Sequence, residues 1–75
     1  MSEYQQFLQE REQIDFLIDK GYKIKNIIEN LNGAVVEFEK VESSDEKSIE
    51  TLHIQTPNAR KYFSVKLIQQ QVSNL

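Results

Sequence analysis

The sequence predicts an α+β domain with the element order α-β-β-β-α, in which two terminal helices pack on one face of a three-stranded antiparallel meander. Three local patterns predict it. Apolar residues recur at helical spacing in residues 2–20, an Asn-Gly pair separates two apolar runs at residues 32–33, and a Thr-Pro pair opens a second helical pattern at residues 56–57. A chain of 75 residues is expected to form one domain, 1–75.

The first helix is predicted over residues 2–20. Ser2 followed by Gln5 is typical of a capping box, because the Ser hydroxyl accepts an amide N–H and the Gln side chain reaches back. Gly21 is suited to the left-handed conformation that ends many helices. The apolar stripe of this helix contains Tyr4, Phe7, Leu8, Ile14 and Ile18.

The next segment, 22–31, admits two interpretations. From Ile24 onward its apolar residues stand at i, i+3, i+4 and i+7, which is typical of a helix. Tyr22, Ile24 and Ile28 also share the parity of a strand, and no capping residue opens a helix there. The Asn-Gly pair that follows favours a hairpin of residues 22–31 with 34–41.

The second half of the chain is predicted to contain a strand and a helix. Alternation around Thr51 indicates a third strand over residues 48–55, and Thr56 and Pro57 are typical of the N-cap and first residue of a helix. Residues 60–69 also fit a strand, because Phe63, Val65 and Leu67 alternate with polar residues. The alternative fold is therefore an N-terminal helix followed by a four-stranded meander.

The predicted core combines one face of each element. Its members are Phe7, Ile14, Leu17, Ile18, Val36, Phe38, Leu52, Ile54, Phe63 and Leu67.

Two apolar features do not fit that core and are candidate interfaces. In a C-terminal helix, Val65, Ile68, Val72 and Leu75 would lie on a different side from Phe63, and a partner would cover them. Phe16 falls off the stripe of the first helix, where an aromatic residue either anchors a partner or is a lone exposed ring.

Charge is segregated along a chain whose net charge is −3. Segments 1–19 and 37–50 are acidic, whereas 20–36 and 51–75 are basic, so the blocks suit pairing within one molecule or between two. The candidate charged contacts are Glu37, Glu39, Glu42, Lys23, Lys25, Arg60 and Lys61.

Those four basic residues also allow single-stranded nucleic-acid binding, with tyrosines for stacking. The net acidity makes this the less favoured alternative. Glu37, Glu39 and the acidic loop after them could supply oxygen ligands to a cation, yet the spacing of a calcium loop is absent, so no metal is expected.

The composition argues against an enzyme. The chain has no cysteine and one histidine, His53, whose parity in the third strand predicts exposure to solvent beside Thr51. No phosphate-binding glycine loop or catalytic motif is present, so no cofactor is expected.

We therefore expect a small non-catalytic interaction or regulatory module that binds another protein or itself, as in a homodimer. A narrower version is an inhibitor that presents the acidic segment 37–50 to a basic site. The chain shows no secretory or membrane-spanning pattern, so a cytoplasmic location and no membrane partner are expected. Its richness in Lys, Ile, Asn, Glu and Gln favours a bacterial or phage source.

Overall fold

The structure, a computed structural model, describes residues 2–72. Its elements are α1 (Glu3–Asp19), β1 (Lys23–Asn30), β2 (Gly33–Val41), β3 (Lys47–Ile54) and α2 (Pro57–Val72). The three strands form one antiparallel sheet in the order β1-β2-β3. The α-β-β-β-α prediction is confirmed, and the alternative with a fourth strand is wrong.

Both ends of α1 are capped as the local sequence predicts. The Ser2 hydroxyl accepts the Gln5 N–H at 3.1 Å, and the Gln5 side chain accepts the Ser2 N–H at 3.3 Å, which completes the predicted capping box. Gly21 has φ +96°, so the chain leaves the helix through the left-handed region that glycine adopts at least cost.

Segment 22–31 forms a strand, so its helical interpretation is wrong. The prediction that Ile24 and Ile28 lie on the same face of this strand is wrong, because the alternation of faces changes partway along it. A β-bulge between Ile24 and Asn26 adds one residue and reverses the parity beyond it. Ile27 therefore packs against the core, whereas Ile28 lies on the opposite face, 50% exposed.

The turn between β1 and β2 requires a glycine at position 33. Gly33 has φ +130°, and a Cβ built there would lie 2.3 Å from the carbonyl oxygen of Ile54 in the neighbouring strand. The turn of the predicted hairpin is thus also a point of close backbone approach to β3.

The start of α2 is confirmed at the predicted residues. The Thr56 hydroxyl accepts the Ala59 N–H at 3.2 Å, and Pro57 is the first helical residue, where a missing N–H costs nothing.

Both helices pack on one face of the sheet. The buried core contains nine residues: Ile14, Leu17, Ile24, Ala34, Val36, Phe38, Ile54, Ala59 and Phe63. The other predicted core residues, Phe7, Ile18, Leu52 and Leu67, are partly buried against it. Among the apolar residues predicted to line α1, Tyr4 in the first turn is 65% exposed.

The two helices run in the same direction across the sheet. Glu10 of α1 contacts Thr56 at the start of α2, and Asp15, further along α1, contacts Tyr62, further along α2. The order of contacts is therefore the same on both helices. This arrangement leaves the other face of the sheet without a covering layer from residues 2–72.

Candidate interaction surfaces

The outer side of α2 carries an exposed apolar row. Val65, Ile68 and Val72 are 51%, 59% and 61% exposed, whereas Ala59 and Phe63 on the buried side are 0% and 1% exposed. We call these three exposed residues the α2 stripe. Their spacing of three and four residues places them on one side of the helix. Leu75, predicted to continue this row, lies outside the described residues.

The charged side chains of α2 itself do not compensate the helix dipole. The first turn contains no acidic residue, and Arg60 and Lys61 follow directly after it. The last turn contains no basic residue. The N-terminal end of a helix is partially positive and its C-terminal end partially negative. The C-terminal end of α2 therefore lacks a compensating basic side chain of its own, whereas at the N-terminal end the Glu10 carboxylate of α1 bonds Thr56.

Arg60 and Lys61 differ in their partners. The Arg60 guanidinium pairs with the carboxylate of Glu29 at the end of β1. Lys61 is exposed and forms no ion pair with any residue of 2–72. Of the two, Lys61 is therefore the cation available to an external group.

Phe16 lies on a different surface from the α2 stripe. Its ring is 56% exposed, and the ammonium of Lys20 lies 4.5 Å from the ring centroid. It lines a groove of ≈ 520 Å³ whose walls come from α1, its C-cap residue Lys20 and β3. We call this the β3 groove; its lining residues include Glu12, Phe16, Leu17, Lys20, Glu50 and Leu52.

The four cations considered for nucleic-acid binding do not form one patch. Lys23 alternates with the buried Ile24, so it projects from the uncovered face of the sheet. Lys25 projects there too and pairs with Glu39 on β2. Arg60 and Lys61 lie on α2, which covers the opposite face. A single strand of nucleic acid would have to contact both sides of the molecule to meet all four.

Glu39 is the centre of an ionic row that crosses all three strands. Its carboxylate lies 3.1 Å from the ammonium of Lys25 on β1 and 3.7 Å from that of Lys47 on β3. The hydrogen bond from Lys25, with the attraction of Lys47, holds the pKa of Glu39 below its ordinary value, although partial desolvation opposes this shift.

The other two candidate carboxylates also have partners within the chain. Glu37 accepts a hydrogen bond from the Asn26 side chain at 3.1 Å, and Glu42 accepts one from the Ser48 hydroxyl at 3.1 Å. Glu37 and Glu39 share the uncovered face, as predicted, whereas Glu42 lies just after β2. All three candidate carboxylates thus have partners within the chain, but only Glu39 is paired with cations.

His53 is exposed on the uncovered face opposite Val35, which confirms the predicted orientation. Within residues 2–72, no three histidine or acidic side chains converge as a metal site would require. Among the same residues, neither helix is long and apolar enough to cross a membrane.

Glu10 is a buried residue that sequence reasoning missed. It is 6% exposed, and its carboxylate accepts the backbone N–H groups of Gln55 and Thr56, at 2.7 Å and 3.1 Å, and the Thr56 hydroxyl at 2.6 Å. A sequence signal existed: Glu10 stands three residues after Phe7 and four before Ile14, within the apolar stripe.

Gln70 is a second such residue. Its side-chain amide accepts the Ile24 N–H at 2.9 Å and donates to the Ile24 carbonyl at 3.0 Å. Gln70 stands seven residues after Phe63, so its helical position pointed to the buried side of α2.

Tyr62 joins the two helices. Its hydroxyl donates a hydrogen bond to the carboxylate of Asp15. Partial desolvation, the hydrogen bond and the negative charge of Asp15 together raise the pKa of Tyr62 to about 12. The phenol therefore stays protonated across the physiological range.

Comparison with protein-family models, curated proteins and solved structures finds no match.

Proposed function

We propose that this chain is a non-catalytic interaction module that self-associates through the α2 stripe. The observation that supports this proposal is the exposure of Val65, Ile68 and Val72, each more than half exposed. The other side of the same helix packs against the core through Ala59 and Phe63. Apolar surface in water carries a free-energy cost that is recovered when a second surface covers it.

The charges of α2 favour a second copy of the same helix as the covering surface. When two copies of α2 pair antiparallel, Lys61 of each lies beside the C-terminal end of the other. That end is partially negative and carries no basic side chain of its own in the last turn. One arrangement therefore covers the stripe and places a cation beside the C-terminal end of each helix.

The spacing of the stripe is compatible with a twofold axis near Ile68. In antiparallel pairing around Ile68, Val65 of each copy faces Val72 of the other. Lys61, one turn before Val65, then lies one turn beyond Val72 of the second copy. The same patch is used on both chains, as a symmetric dimer requires.

The size of the α2 stripe determines how tightly the dimer is expected to form. Val65 and Val72 are seven residues apart, which corresponds to about 11 Å along a helix. Such a contact falls in the class of small interfaces, below about 1,200 Å² in total. We therefore expect a reversible dimer with a dissociation constant of about 10–100 μM.

Sedimentation velocity over a range of concentrations around that value tests the proposal. The wild-type chain should pass from monomer to dimer, and Ile68→Asp should remain monomeric, because a carboxylate cannot be buried at the centre of an apolar contact at low cost. Val41→Asp is the matched control, since Val41 on β2 is also 59% exposed and should leave dimerisation unchanged.

Two results would contradict the proposal. One is a wild-type chain that remains monomeric up to about 1 mM, well above the expected dissociation constant. The other is a dimer that persists in Ile68→Asp with native circular dichroism, because the contact would then lie elsewhere.

A further inference from the structure

The two edge strands of the sheet, β1 and β3, differ in how they are protected from pairing with another chain. At the β1 edge, the bulge between Ile24 and Asn26 interrupts the regular ladder. The Gln70 side-chain amide bonds both the N–H and the carbonyl of Ile24, as the peptide group of a neighbouring strand would. Bulges and covering groups are the devices by which proteins prevent an edge strand from pairing with another chain.

The β3 edge has no such protection. Among residues 2–72, β3 pairs only with β2, over a continuous register from Lys47 to Ile54 without a bulge or a proline. No side chain or backbone group in residues 2–72 bonds the outward-facing N–H and carbonyl groups of this strand. Eight residues of free strand edge are long enough to pair with an extended peptide.

The β3 groove lies between α1 and this edge strand. Its apolar part is formed by Phe16 and Leu17 of α1 and by Leu52 of β3. Successive side chains of a strand point to opposite faces, so every second residue of a strand added at β3 would point toward α1. The groove therefore suits one apolar side chain of such a strand.

The charge around the groove indicates which side chains the bound segment would carry next to its apolar one. Glu12 and Glu50 both line the groove, are exposed, and have no ion-pair partner for their carboxylates among residues 2–72. The groove's own cation, Lys20, lies over the ring of Phe16. Residues 1–19, which include all of α1, carry a net charge of −4. A basic side chain beside the apolar one would complement this surface.

We propose that the open edge of β3 binds an extended basic segment of another protein, which joins the sheet as a fourth strand. An apolar side chain of the segment enters the β3 groove, and a Lys or Arg two residues away pairs with Glu50. This site is independent of the α2 stripe, because no residue of α2 lines the groove.

The test uses a synthetic peptide, acetyl-Thr-Leu-Thr-Lys-Thr-Val-Thr-amide, titrated into the isotopically labelled full chain. Its Leu, Lys and Val are placed opposite Leu52, Glu50 and Ser48 in antiparallel pairing. Amide resonances of 47–54 and of the C-terminal half of α1 should shift, whereas those of α2 should not. The same peptide with N-methyl groups on the edge-facing amides should lose binding, because strand addition depends on main-chain hydrogen bonds.

Charge reversal tests the choice of a basic segment. Glu50→Lys should weaken the Lys peptide by about fivefold, as expected when an opposite-charge cross-strand pair becomes a like-charge pair, and should strengthen a peptide carrying Glu at that position. Glu46→Lys, in the exposed β2–β3 loop, is the control of equal charge change and should leave both affinities unchanged.

Three outcomes would overturn the inference. The first is the absence of any shift at millimolar peptide, and the second is equal binding of the N-methylated peptide. The third is tighter binding of a peptide that copies residues 47–54 than of the basic peptide, because the occupant of the edge would then be a second copy of β3.

Discussion

The carboxylate of Glu10 accepts two hydrogen bonds from Thr56, one from its backbone N–H at 3.1 Å and one from its hydroxyl at 2.6 Å. Thr56 in turn caps α2 through the N–H of Ala59. One acidic residue of the first helix thereby orients the residue that begins the last helix, and it also satisfies the Gln55 N–H where the chain leaves β3.

Replacement of Glu10 by Ala should lower the free energy of unfolding by about 3 kcal/mol, because two backbone N–H groups and a hydroxyl lose a charged acceptor. Urea denaturation followed by circular dichroism measures the change. Glu12→Ala removes an exposed carboxylate from the same helix and should alter stability by less than about 0.5 kcal/mol. Equal effects of the two substitutions would contradict the structural role of Glu10.

Gly33→Ala should be markedly more destabilising than Gly21→Ala. Both glycines have positive φ, so both substitutions introduce backbone strain. Only at Gly33 does the new Cβ also meet a backbone atom, at 2.3 Å from the Ile54 oxygen; at Gly21 the nearest atom is the flexible Lys40 side chain at 3.7 Å. We expect a difference in unfolding free energy of about 2 kcal/mol, measured by thermal and urea denaturation.

Stability should fall on the alkaline side because of Tyr62. Its pKa is raised to about 12 in the folded chain from an ordinary value of 10.0, so its contribution is fully present below pH 10.0 and is lost as the pH rises toward about 12. Tyr62→Phe should remove this part of the pH dependence and cost about 1 kcal/mol at neutral pH.

Asp15→Asn provides the corresponding test from the other partner. It keeps a hydrogen-bond acceptor for the Tyr62 hydroxyl but removes the negative charge, so the pKa of Tyr62 should fall without returning fully to its ordinary value. Ultraviolet titration of tyrosinate measures this pKa. An unchanged titration would show that the contact between Tyr62 and Asp15 does not form in solution.

The ionic row on the uncovered face should weaken in acid. Because the folded-state pKa of Glu39 is lowered, its contribution to stability is present above its ordinary value of 4.5 and is lost as the pH falls through the folded-state value. Glu39→Gln should reduce this acid dependence, as measured by urea denaturation at a series of pH values.

The two lysines of this row should contribute unequally. Lys25→Met should reduce the acid dependence more than Lys47→Met, since Lys25 lies 3.1 Å from the Glu39 carboxylate and Lys47 lies 3.7 Å from it. The opposite order would indicate that the row is arranged differently in solution.

Protection of the β1 edge by Gln70 can be measured by hydrogen exchange. In Gln70→Ala the Ile24 N–H loses its acceptor, so its exchange should accelerate by about fivefold, the equivalent of about 1 kcal/mol. Gln69→Ala, at the exposed neighbouring position, should leave this amide unchanged. Unaltered exchange in Gln70→Ala would show that the bulge alone protects this edge.

The sequence by itself determined where most elements begin and end. Ser2 with Gln5, the Asn-Gly turn and Thr56 with Pro57 are local signals, because each acts on backbone groups within a few residues of itself. Periodicity also identified the buried faces of both helices and of β2 and β3, since the side chains of a regular element repeat with a fixed period.

Tertiary structure decided everything that depends on register and docking. The bulge in β1 reversed the faces of Ile27 and Ile28, because its position is set by the pairing with β2 and not by β1 alone. The hydrogen-bond partners of Glu10 and Gln70 and the separation of Lys25 from Lys61 depend on how α1 and α2 lie across the sheet. Contacts between residues more than forty positions apart have no local signal, so only the packed fold brings these groups together or keeps them apart.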